Sequence, residues 1–131
     1  MALDVHLVTP EREVWTGEAD MVVARGVEGD VGVLKGHAPM LITLAIGPLF
    51  IHRGDRVEGV AVDGGFLHVT SRGDDTRVDI LAEHAELESE IDAAEAERER
   101  AEAEQQVAQG NAAGRDDLAR AVARIRAKGR A

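Results

Sequence analysis

The chain changes texture once, near Leu81-Ala82, and that break divides what its two parts can become. Before it, short β-like runs are separated by turn residues every eight to twelve or so positions, as in a sandwich or barrel. Leu3, Val5 and Leu7 alternate with Asp4 and His6; Val14 to Thr16 and Met21 to Val23 follow. Met40 to Ala45 and Leu49 to His52 are divided by Gly47-Pro48, which reads as a turn. Val57 to Val62 and Phe66 to Val69 flank Asp63-Gly64-Gly65, a strong hairpin signal, and Arg77 to Leu81 completes the series. About nine or ten strands can close a two-layer core. Only Trp15, Phe50 and Phe66 are aromatic, so Val, Leu and Ile must fill it.

After Ala82 the strand pattern stops. Glu83 to Gln109 contains neither Gly nor Pro and consists mainly of Ala, Glu, Arg and Gln, all good helix formers. Gly110-Asn111-Ala112-Ala113-Gly114 breaks it, and Arg115 to Lys128 reads as a second helix, so an antiparallel helical hairpin is expected over residues 83–131, behind a β unit of residues 1–82. Its large apolar residues are few: Leu87 and Ile91, continued by Ala94, Ala101 and Ala108, would face a stripe of Leu118, Val122 and Ile125. Such a hairpin is marginal alone and able to detach.

Charge is segregated along it. Residues 86–104 hold nine acids and two arginines, and residues 115–131 hold six bases and two acids. The two helices can neutralise each other, or the array Arg115, Arg120, Arg124, Arg126, Lys128 and Arg130 can meet an acidic surface elsewhere. Over the whole chain the formal net charge is −10, which argues against nucleic acid or an anionic membrane as the partner of the whole surface. No cysteine is present, so thiol and zinc–thiolate chemistry is excluded. No signal peptide is visible, and the longest apolar run, Met40 to Ile51, is too short to span a bilayer; a soluble chain without direct membrane insertion is expected.

Glu28-Gly29-Asp30-Val31-Gly32-Val33-Leu34-Lys35-Gly36-His37-Ala38-Pro39 describes a tightly turned β segment that can present Asp30, Lys35 and His37. It is not a P-loop, because Lys35 is followed by Gly36 and no helix follows; Gly26 to Gly32 has the wrong spacing for a dinucleotide fingerprint. His37 has no second ligand at metal spacing, and the five histidines are scattered singly, so no metal site is expected. No base-plus-nucleophile arrangement stands out either, so no catalytic residue and no cofactor is expected.

These features, in this order, resemble the epsilon subunit of F-type ATP synthases over essentially the whole chain. The glycine segment is similar to that family's G-x-x-G-x-x-P-x-H-x-P run, Val62-Asp63-Gly64-Gly65-Phe66 to its double-glycine hairpin, and Ile80-Leu81-Ala82-Glu83 to the run before its helices. The wording of Asp63 to Leu67 and of Glu88 to Asp92 resembles the actinobacterial branch most closely.

The resemblance implies a ten-stranded β-sandwich followed by a helical hairpin. It implies a non-catalytic subunit of the central stalk, peripheral on the cytoplasmic face of the bacterial membrane. Its partners would be the gamma subunit, the ring of c subunits and the catalytic alpha/beta head, and the sandwich would transmit proton-driven rotation. Asp30, Lys35 and His37 would be the rotor contacts, with Lys35 standing where many members have proline. Arg120, Arg124, Arg126 and Lys128 would contact an acidic loop of the catalytic subunit when the hairpin inhibits ATP hydrolysis. Ile91 and Asp92 match the family's nucleotide motif, but Glu95 stands where its arginine would be, so no nucleotide site is expected. The alternative is a docking or regulatory adaptor of the same architecture outside any ATP synthase, and co-purified partners separate the two.

Overall fold

A computed structural model describes residues 2–129. Seven strands form one hydrogen-bonded sheet: β1 (Leu3–Val8), β2 (Glu13–Ala19), β3 (Met21–Gly26), β4 (Gly29–Leu34), β5 (Met40–Arg53), β6 (Arg56–Arg72) and β7 (Asp75–Leu87). The spatial order is β2-β1-β7-β6-β5-β3-β4, with β1 parallel to β7 and every other pair antiparallel. A 3-10 turn (Glu88–Glu90) leads into α1 (Ala93–Ala108) and α2 (Gly114–Gly129).

The sheet curls into a sandwich. Leu3, Val5 and Leu7 of β1 share one buried core with Val22 and Ala24 of β3 and Val33 of β4, although these strands lie far apart in the hydrogen-bonded order. The long strands allow this by bending together. Along β5 the core residues change from even to odd positions, Leu44 to Leu49 and Ile51; along β6, from Val60 and Val62 to Leu67 and Val69; along β7, from Val78, Ile80 and Ala82 to Ala85. A change of parity means that the strand has turned its other face to the core. The three changes sit at one level, where Leu44 pairs with Gly65 and Gly65 with Ala82.

This shared bend corrects the expected ten strands to seven. Gly47-Pro48 is not a turn: Gly47 pairs with Val62 and Pro48 with Ala61 inside β5. Asp63-Gly64-Gly65 is not a hairpin but a kink inside β6, with φ of 71° at Gly64 and 113° at Gly65. A Cβ on Gly65 would collide with the Leu81 carbonyl oxygen. Two-residue hairpin turns lie at Val27-Glu28, Gly54-Asp55 and Gly73-Asp74, each closing a register pair, and a longer turn of residues 9–12 joins β1 to β2.

The expected helix start at Glu83 is also corrected, and the boundary at 82/83 falls inside β7. Residues 83–87, apart from His84, are good helix formers, but Ala85, Glu86 and Leu87 pair with Val62, Ala61 and Val60 of β6, and that pairing overrides local preference. Small residues are buried along the helices: Gly114 of α2 lies against Ala103 of α1, Ala96 and Ala121 are also buried, and Ala123 and Ala127 of α2 face β6. Ala94, Ala101 and Ala108 are exposed, and Leu87, Leu118, Val122 and Ile125 are only half-buried, so of the expected stripes Ile91 alone is buried.

The pair lies on the outer face of one half of the sandwich, where Ile91, Ala123 and Ala127 pack on Ala61. Gly59 makes this possible, since a Cβ there would strike the Ala127 carbonyl.

Substituting Gly65 tests the bend. Gly65→Ala should destabilise the chain by roughly 3 kcal/mol or more, because positive φ and the Leu81 collision add. Urea unfolding followed through the single Trp15 reads the change, and a loss below about 1 kcal/mol contradicts the account.

Candidate functional site

The glycine segment is stapled at one end and exposed at the other. Asp30 lies near the start of β4, largely exposed, and accepts a hydrogen bond from Arg25 Nε of β3 at 3.1 Å. Lys35 and Gly36 turn the chain beyond β4, with Gly36 at φ 86°. The Gly36 amide donates to Thr76 Oγ1 at 2.8 Å and Ser71 Oγ to the His37 carbonyl at 2.9 Å, tying the turn to β6 and β7. The His37 amide donates to the Leu34 carbonyl at 3.1 Å, and its ring Nδ1 lies 2.7 Å from the Ala38 carbonyl. Lys35 and His37 therefore share one rigid turn. Asp30 does not join them, being about 17 Å of strand away.

A second exposed feature escaped the sequence reading. Phe66 pairs with Leu81 across β6 and β7, Leu41 pairs with His68 one step along, and all three are large, apolar and about half or more exposed. Their parity is opposite to that of Leu67, Val69 and Ile80, so they form an apolar stripe on the outer face of the half-sandwich that the helices leave open. The outward parity was readable once Leu67 and Val69 were assigned inward.

The basic residues of α2 are mostly engaged. Arg120 Nε donates to Asp63 Oδ2 of β6 at 2.7 Å and Nη1 to Asp117 Oδ1 at 3.1 Å. Arg124, with 13% of its side chain exposed, sits among three carboxylates. It donates to Glu99 of α1 through Nη1 and to Glu95 Oε1 through Nη2 at 3.3 Å. Its Nε is 2.9 Å from Glu86 Oε1 of β7, an ionic contact too poorly aligned for a hydrogen bond. Burial pulls the Arg124 guanidinium down, but Glu86, Glu99 and Glu95 more than reverse this and its pKa is raised. Lys128 Nζ donates to the Glu88 carbonyl at 3.0 Å. Arg126 is exposed and without an ion pair among the described residues, and Arg130 lies outside them.

The nucleotide-motif positions have structural tasks. Ile91 is buried against α2, and Asp92 caps α1, its Oδ1 accepting from the Glu95 amide at 3.0 Å. That hydrogen bond, chiefly, holds the Asp92 carboxyl below its ordinary range. Glu95 itself points at Arg124. No helix among the described residues is long and apolar enough to cross a membrane.

Comparison with known proteins bears on these surfaces. Residues 2–108 match the family described as ATP synthase, Delta/Epsilon chain, beta-sandwich domain. The ATP synthase epsilon chain of Thermobifida fusca is 48% identical over 128 residues, covering 95% of this chain and 90% of that one. The chain belongs to the ATP synthase epsilon family. The epsilon chain of Streptomyces avermitilis is 47% identical over 95 residues, covering 72% of this chain and 73% of its own. Epsilon-family membership makes this a subunit of the ATP synthase complex without catalytic chemistry of its own, and the adaptor alternative finds no support. Among solved structures, a chain of the Euglena gracilis mitochondrial ATP synthase, in its OSCP/F1/c-ring assembly, superposes with a TM-score of 0.77. It is 24% identical and covers 95% of this chain and 78% of that one, a likeness of fold.

Acid tests the polar ties between sandwich and helices. The Glu90 carboxyl is held below its ordinary 4.5, chiefly by a side-chain hydrogen bond from Arg12 and then by the Leu87 amide, and Asp92 is held below its ordinary 3.8. Both groups are lowered, so their stabilisation is complete above those ordinary values and is lost as pH falls through the folded-state values. On acidification from pH 6 towards pH 3, amides in the first turn of α1 should lose hydrogen-exchange protection before those of β1 and β6 do. Simultaneous loss contradicts the assignment.

Proposed function

We propose that this epsilon-family chain couples rotation to catalysis in the central stalk of a bacterial proton-translocating F-type ATP synthase. It would sit peripherally on the cytoplasmic face of the cell membrane, as two units: the sandwich, and a releasable antiparallel helical hairpin. The antiparallel reading is supported by α1 residues 103–107 lying beside Gly114 and Glu95 and Glu99 lying beside Arg124.

The sandwich offers two docking features. The stapled turn carrying Lys35 and His37, with Asp30 further along β4, suits the polar surface of the c ring; the stripe of Leu41, Phe66 and Leu81 suits an apolar face of the gamma subunit. A partner on that stripe removes apolar area from water while meeting a pre-formed, rigid sheet.

One observation carries the regulatory part. The same cations that are candidates for an acidic loop on the catalytic subunit, Arg120, Arg124 and Lys128, are held by Asp63, by Glu86, Glu95 and Glu99, and by the Glu88 carbonyl. They are held over an interface built mainly of alanine. Small residues bury little apolar area, and ion pairs near the surface, such as Arg120 with Asp63, are individually weak, so docking is easily reversed. Release presents Arg120, Arg124, Arg126 and Lys128 together on one helix.

Removal of residues 115–131 from the assembled enzyme should raise ATP hydrolysis several-fold; an unchanged rate overturns the inhibitory role. The full-length chain should recover gamma and c subunits from native membranes, and substituting Leu41, Phe66 and Leu81 by serine should weaken that recovery. Unchanged recovery by the triple variant removes the stripe from the docking surface. Since Glu95 and Glu99 already occupy the Arg124 guanidinium, isothermal titration should find no strong ATP binding, and a micromolar affinity contradicts this.

A further inference from the structure

The segment between the sandwich and the helices is gripped from three directions. Glu88 accepts on Oε1 from the Gly59 amide of β6 at 3.1 Å and on its carbonyl from Lys128 Nζ of α2 at 3.0 Å. Glu90 Oε1 accepts from the Leu87 amide at 2.9 Å and from Arg12 Nη2 at 2.7 Å. Arg12 belongs to the turn between β1 and β2, a part of the sandwich otherwise remote from the helices. That turn is itself closed by the Thr9 amide donating to the Arg12 carbonyl at 2.9 Å.

We infer that the β1–β2 turn is a clasp on this hinge: Arg12, by holding Glu90, sets how readily the helix pair leaves the sandwich. This rests on the reading that the helices detach. Departure of the helices requires the backbone of residues 88–92 to rotate, and rotation carries the Glu90 carboxylate away from Arg12 and from the Leu87 amide together.

The clasp is continuous with the contacts that seat α2. Glu86 also acts electrostatically on Arg12 while it touches Arg124, so one acid of β7 lies between a sandwich cation and a helix cation. Loss of either cation leaves the acids around the other less compensated. The contacts are half-exposed and individually modest, but a docking equilibrium close to balance responds to modest terms. The device therefore acts on the population of released helices rather than on the stability of the sandwich, whose core lies elsewhere.

The absence of cysteine allows a direct measurement on the full chain. Spin labels on Asp55→Cys, in the exposed β5–β6 turn, and on Arg115→Cys, exposed at the start of α2, report docked and released distances by pulsed electron resonance. Gly59→Ala, which removes the seat of α2, supplies the released distance as a reference. Arg12→Gln removes the clasp cation; Glu90→Gln keeps an acceptor for the Leu87 amide but removes the charge. Each should raise the ratio of released to docked chains roughly two- to fivefold, and the double variant should do no more than either alone. The thermal midpoint of the sandwich should stay at the parent value.

Ratios unchanged in both variants, or effects that simply add, overturn the clasp while leaving detachment intact. No released distance in any variant, Gly59→Ala included, overturns detachment itself and the clasp with it.

Discussion

Three long strands bend at one level, and the arrangement of the molecule follows from that bend. Gly65 makes it possible: at φ 113°, with the Leu81 carbonyl where a Cβ would stand, no other residue fits without displacement. Because β5, β6 and β7 turn their faces together, the sheet folds over a single core of Val, Leu and Ile. Two separate outer faces result. One, lined by Gly59 and Ala61, receives α2. The other leaves Leu41, Phe66 and Leu81 exposed. The proposed docking and regulatory surfaces thus lie on different halves of one sheet.

The two halves are held by different physics. The core is sealed by buried branched side chains, each contributing about 1.5–3 kcal/mol. The helix pair rests on alanines, on a glycine seat and on charge: Arg120 to Asp63, Arg124 among Glu86, Glu95 and Glu99, Arg12 to Glu90. Alanine lets helix and strand backbones approach closely but removes little apolar surface. What makes the contact close also makes it weak, as the proposed release of the helices requires.

The sequence was readable where a local rule and the tertiary packing agreed. Leu3, Val5 and Leu7 alternate as a half-buried strand should, and the Gly110-Asn111-Ala112-Ala113 stretch breaks the helical run, although Gly114, expected in the break, already opens α2. It was unreadable where one local signal has two outcomes. Asp63-Gly64-Gly65 has the composition of a hairpin turn, yet glycine at positive φ also serves a kink within a strand, and only the neighbours on β5 and β7 decide between them. Glu83 to Leu87 prefers helix by composition and becomes strand because β6 supplies partners. For the candidate site, the residues of the glycine segment were legible from spacing but the separation of Asp30 from His37 was not, since it depends on how much of the segment is extended. The charges of α2 were legible, whereas their partners come from β6, β7 and α1, far away in the chain. The apolar stripe needed the strand parity that the bend conceals.

In the proposed function the helix pair is an inhibitory arm that the sandwich restrains, seated at Gly59. Substitution by alanine there tests it most directly, because β6 accommodates the residue while the Ala127 carbonyl does not. In the reassembled ATP synthase, Gly59→Ala should lower ATP hydrolysis below the parent rate, and the same substitution combined with removal of residues 115–131 should restore it. Hydrolysis that is unchanged by Gly59→Ala, or that stays low once the last helix is gone, contradicts the account.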